Sequence, residues 1–203
     1  MSNYKNFIKD FPTRCGEILE EYRSPASKNG REVTLMFAIA SVAITIPFER
    51  LRKPSDGIKH PSGDKKKYKE AAGKFANLCD RKFLESCLWK NASGSWKEGQ
   101  VKKEDVKHEP ESWITDSMKL AEVMKVKEVL EHIRNALAHG SIFTLPDAYD
   151  QIENIIFLSR IMNGKNFSGN YKMLIVSAED FYKFIVKWMS FLKNELKIPS
   201  EID

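Results

Sequence analysis

"HIRNALAHGSIF", His132 to Phe143, is the stretch on which the reading of this chain turns. Val126, Leu130, Ile133 and Leu137 recur at helical spacing and predict an amphipathic helix ending at His139. Gly140 stands where a helix stop is expected. Several residues between Ser112 and Asp116 can cap the start. With Leu137 at the centre of the apolar stripe, Asn135 and His139 lie about 160° to either side, an i,i+4 pair on the far face, and Arg134 lies about 60° round. A surface helix needs nothing special there, and Asn is a poor choice by propensity. Ordinary causes exist: the helix dipole favours His at a C-terminus, and Arg can lay its stem along a bundle. An Arg–His pairing at this spacing carries little information by itself.

The chain has 203 residues, enough for one domain with a real core, and a formal net charge of +5. Residues 51–107 hold fifteen Lys/Arg against eight Asp/Glu, a local net of +7. That segment suits an anionic partner such as RNA or DNA, or is a solvated Lys-rich face. The charged N-terminus lacks the apolar core of a signal peptide. The apolar run Val33–Phe48 is short for a bilayer and ends at Pro47, so no membrane is expected. Three cysteines without a CxxC pair fit reduced thiols in a cytoplasmic protein, with Cys79 and Cys87 as core filler.

Around this point the chain reads as helices. A first helix, about Tyr4 to Tyr22, has Phe7, Phe11, Ile18 and Tyr22 on one face and Pro12 bending or breaking it early. A second, Arg31 to Leu51, is apolar nearly all round and belongs at a bundle centre or a subunit interface. After the Pro- and Gly-containing loop 53–67, a third runs from Tyr68 to Trp89. Asn91 to Pro110 reads as a long, partly mobile loop. "IENIIFLSRIM" (152–162) and "YKMLIVS" (171–177) around "NGKNFSGN" predict a β-hairpin. Ser177 then caps a last helix, 178–196, with a stripe of Phe181, Ile185, Trp188 and Leu192. The expected fold is mainly α: an up-and-down bundle over 4–140, with a small C-terminal β-hairpin and final helix (150–197) appended in a single domain, 1–203.

The fuller string Arg134-Asn135-Ala136-Leu137-Ala138-His139-Gly140 resembles the signature of the HEPN superfamily: an Arg, a polar residue often Asn, and a His four to six positions beyond the Arg at a helix end. The helical layout extends the resemblance over most of residues 4–143. It implies a HEPN bundle, a composite site between two copies, and metal-independent RNase activity with Arg134, Asn135 and His139 as catalytic residues. It also implies service in bacterial toxin–antitoxin, phage-defence or stress systems, with a cognate antitoxin protein as a further partner. Some family toxins carry a Tyr two residues after the His; here that position is Ser141, which puts regulation by its modification in doubt.

The residue types suit that chemistry. RNA cleaves when its 2′-hydroxyl attacks the adjacent phosphorus, which needs a base, an acid and positive charge on the phosphorane. Histidine serves as acid or base near neutral pH, and arginine offers phosphate a planar fork of donors. Asn135 can orient His139 or hold a phosphate oxygen. One copy offers one motif His, so a homodimer supplies the second. Neither a cofactor nor a metal is called for: His60, His108 and His132 show no ligand spacing. Lys65, Lys66, Lys67, Lys102 and Lys103 could follow the RNA backbone. Of the bracketing tryptophans, Trp89 and Trp113 read as core and Trp96 as exposed, able to stack a base. Glu131, three residues before Arg134, is in reach to pair with it. The rival class is a non-catalytic HEPN-like module that binds nucleic acid or a partner protein. A third reading is a plain bundle whose helix cap mimics the motif.

Overall fold

Helix α1 (Phe7–Lys28) and helix α2 (Glu32–Leu51) meet at a turn through Gly30, whose φ of 65° suits a residue without Cβ. The computed structural model describes residues 7–51, 69–86, 89 and 95–196. They divide into two units, Met1–Arg81 with Phe184–Asp203, and Lys82–Lys183.

The first unit is helical. Helix α1 runs on through Pro12 and Pro25 and buries Pro12, Cys15 and Leu19. Ile18 and Tyr22 are 44% and 51% exposed, so its expected apolar face is rotated. Burial pushes the Cys15 thiol up to about 11. Helix α2 is by length and composition apolar enough to cross a membrane, but Met36, Ala40, Ala43, Ile44 and Phe48 are buried within the unit. Helix α3 (Lys69–Cys79) sets Phe75 edge-on to Phe48 at 5.7 Å. It ends ten residues before the expected Trp89, because Phe83 N–H donates to Met124 O at 2.7 Å and draws the chain away. Helix α5 (Ala178–Asn194) begins in the second unit and continues in the first. Its Trp188 lies 6.0 Å from Phe75 and donates its indole N–H to Ala43 O at 2.8 Å.

The second unit overturns the expected mainly-α bundle. It holds a five-stranded antiparallel sheet in the order β2-β1-β5-β4-β3, so the fold is α+β. The strands are β1 (Lys97–Lys102), β2 (Lys119–Leu120), β3 (Ile142–Pro146), β4 (Ile152–Asn163) and β5 (Asn166–Ser177). The expected hairpin is real, but β1 and β3 extend it on both sides. The stretch read as a long loop supplies β1 and two short 3-10 turns, Asp105–Lys107 and Pro110–Trp113. Val101, Trp113, Leu145, Ile156, Leu158, Met173 and Ile175 form a core on one face of the sheet. The other face buries Ile155, Phe157, Leu174 and Val176. Burial on both faces explains why β4 reads as a nearly continuous apolar run.

Helix α4 (Val126–His139) packs on β4. It starts at Val126, not near Ser112 to Asp116: the residues between go to a 3-10 turn and to β2. The Glu128 carboxylate accepts the Lys125 N–H at 2.7 Å and closes that end.

Candidate functional site

The sequence places its motif on the last two turns of α4, and packing decides which way those turns face. Val126, Val129, Leu130, His132, Ile133 and Ala136 are buried, whereas Leu137 is only half-buried. The buried stripe is therefore centred between Val129 and Ile133, turned from the Leu137-centred one. Relative to it, Arg134 leaves one flank, His139 the opposite flank, and Asn135 the back.

Arg134 Nη1 donates to Asn135 Oδ1 at 2.5 Å, which folds the guanidinium round to the back of the helix. Both side chains are half-buried and His139 is exposed. Among the described residues the His139 side chain makes no hydrogen bond, so of the two uses open to Asn135 the bond to His139 is not formed here. Two motif side chains are thus joined, and the third stands free one turn on. Glu131 lies 3.8 Å from Lys127.

The helix stop is built as its sequence suggests. Gly140 has φ 63°, and Ser141 N–H donates to Ala136 O at 2.9 Å. These belong to a left-handed cap in which the last carbonyls are satisfied. A Cβ at Gly140 would meet nothing within 4 Å, so only backbone strain opposes a side chain. Gly140→Ala is expected to cost about 1 kcal/mol, seen as a melting temperature lower by roughly 2–4 °C. An unchanged or higher melting temperature would contradict this account of the stop.

His132, to which the sequence reading gives no role, anchors the motif from below. It is 3% exposed. Its Nε2–H donates to Phe157 O at 2.8 Å, since a carbonyl only accepts. That leaves Nδ1 to accept the Ser159 hydroxyl at 2.7 Å. Burial first, and the Lys172 ammonium after it, lower its pKa to about 4, against the raising effect of the Phe157 carbonyl. The ring is neutral at physiological pH. A signal was present: His132 precedes His139 by seven residues, two helical turns, on the buried side of the same flank.

The other candidates fall elsewhere. Lys102 ends β1, where it lies 3.8 Å from Glu104, and Lys103 follows it, exposed. Lys65, Lys66, Lys67, His60 and Cys87 lie outside the described residues. Trp96 is not exposed: it is fully buried, 4.9 Å from Phe83. Trp89 and Trp113 are buried as expected, so none of the three offers a stacking face. His108 is exposed in the segment between the two 3-10 turns. Among the described residues no three His, Cys, Asp or Glu side chains gather into a possible metal site.

No curated protein and no solved structure matches the chain. A family model described as HEPN pEK499 p136 matches residues 1–198, so the chain belongs to that HEPN family, a nucleotide-related or ribonuclease-like module in general terms.

Proposed function

We propose that the protein is a metal-independent endoribonuclease of HEPN type that works as a homodimer. The observation that carries this reading is the joined pair Arg134 and Asn135 with an exposed His139 one turn on, all on the last two turns of α4, a helix held from beneath by His132. In the proposed reaction the 2′-hydroxyl oxygen attacks phosphorus and the bond to the 5′-oxygen breaks. The 2′-proton goes to a base, and an acid protonates the leaving oxygen. His139 fills one of those roles and the same residue of a second copy fills the other. Arg134 neutralises the phosphorane, and Asn135 fixes the guanidinium or takes a phosphate oxygen. A toxin, phage-defence or stress system is the proposed setting.

The test is RNA cleavage in EDTA. Wild type should leave 2′,3′-cyclic phosphate ends, and His139→Ala and Arg134→Ala should each lose at least about a hundredfold in rate. Intact RNA with wild type, or equal cleavage by the variants, would remove the catalytic reading. One observation favours a second reading, a non-catalytic module that binds nucleic acid or a partner protein: among the described residues no side-chain hydrogen bond orients His139. The same assay separates the two.

A further inference from the structure

The distal end of the β4–β5 hairpin is irregular in a way that neither the sheet nor the α4 motif requires. Arg160 pairs with Tyr171, yet Met162 pairs with Phe167. Ser168, Gly169 and Asn170 therefore stand opposite Ile161 alone, a bulge carried by β5. Gly169 takes φ 89° within it, and its carbonyl accepts the Lys103 N–H at 2.9 Å. Gly164, at φ 63°, makes the turn at the tip.

The bulge gathers rings and positive charge. Phe167 and Tyr171 come within 5.1 Å, and the Arg160 guanidinium lies 5.8 Å from the Phe167 ring centre. Arg160, Lys165 and Lys103 are exposed. No Asp or Glu occurs from Asn154 to Ala178, while Arg160, Lys165 and Lys172 do. Lys172 is engaged with Glu98 at 3.7 Å, and Glu104 tempers Lys102, so the charge available centres on Arg160, Lys165 and Lys103. Phosphates pair with such cations, and unpaired bases stack on rings and on guanidinium planes; a duplex, with its bases already stacked, uses the charge alone.

This end also adjoins the α4 stop along β4, on the opposite face of the sheet: Arg160 alternates with Leu158 and Ile156, whereas α4 covers the side of Phe157 and Ser159. Leu158 N–H donates to Ser141 O at 2.9 Å, which puts β4 next to the α4 stop. Arg160 is two residues farther along that strand, about 7 Å.

We infer that the hairpin end built from Arg160, Phe167, Tyr171, Lys165 and Lys103 is a docking platform for single-stranded RNA. Delivery of the strand to His139 rests on the proposed ribonuclease reading; the binding does not. The experiment is fluorescence anisotropy with a short labelled oligouridylate in EDTA, on the full chain carrying His139→Ala so that RNA stays intact. Phe167→Ala and Arg160→Ala are expected to weaken binding about tenfold each. Arg160→Lys should also weaken it, since the charge remains and the plane is lost. Lys165→Glu, at an exposed turn, should weaken it with unchanged melting, which guards against loss of fold as the cause. A matched RNA duplex should be insensitive to Phe167→Ala. Unchanged affinity in the hairpin variants, or equal losses for the duplex and for anionic lipid vesicles, would overturn the platform. Hairpin-dependent binding without wild-type cleavage would remove the ribonuclease reading alone; cleavage with hairpin-independent binding would remove the platform alone.

Discussion

Trp188→Ala is expected to lower the free energy of unfolding by about 3–5 kcal/mol, and Trp188→Phe by about 1–2 kcal/mol. The difference between the two separates ring from hydrogen bond. The indole is fully buried among aromatic neighbours, Phe75 at 6.0 Å and Phe191 at 5.9 Å. Its N–H meets Ala43 O, and that carbonyl has a particular need. Inside a helix it would accept the N–H four residues on, which here is Pro47, and proline has none. Trp188 thus satisfies a carbonyl that the sequence of α2 leaves open. The decisive measurement is a double-mutant cycle by urea unfolding. Pro47→Ala restores a backbone donor to α2, so Trp188→Phe should cost clearly less in that background. Equal costs in the two backgrounds would show that the Pro47 gap has no bearing on Trp188.

The second large effect is on pH. His132 titrates near 6.5 in the unfolded chain and at about 4 in the folded protein. Between those values the unfolded state binds the extra proton, so stability falls as pH falls. The contribution is complete above the unfolded value and lost by the folded one, about 3 kcal/mol in all. Urea unfolding at pH 7 and pH 4.5 measures it. His132→Asn should unfold more easily at pH 7 and lose most of this dependence. If its pH dependence matched that of wild type, the loss of stability would belong to other groups.

Some of this molecule was plain in its sequence, and what remained hidden shares a cause. The Phe181, Ile185, Trp188 and Leu192 stripe is fully buried, and the expected cap forms, with Asp180 N–H donating to Ser177 Oγ at 3.1 Å. Such long periodic elements carry their own signal. By contrast β1, "KEGQVK", buries a single residue, Val101, and β3 has five residues of which only Leu145 is buried. Neither alternates strongly enough to announce a strand; partners β5 and β4 make them strands. Without these two strands in view, an α+β fold reads as a bundle. At the site, the motif residues were legible as a string, but their directions were not. Those depend on which stripe of α4 is buried, and a polar residue, His132, belongs to that stripe.

The tie between Trp188 and Ala43 joins residues 145 positions apart in the chain. A ribosome makes α2 early and α5 late, with the whole sheet unit between them. Until α5 arrives, the nascent α2 carries an unanswered carbonyl at its most apolar stretch and lacks the ring that covers it. Chains that stop short of residue 184 are therefore expected to bind holdase chaperones and to be degraded, however well residues 82–183 fold. For this protein, synthesis of α5 is the point at which α2 becomes secure.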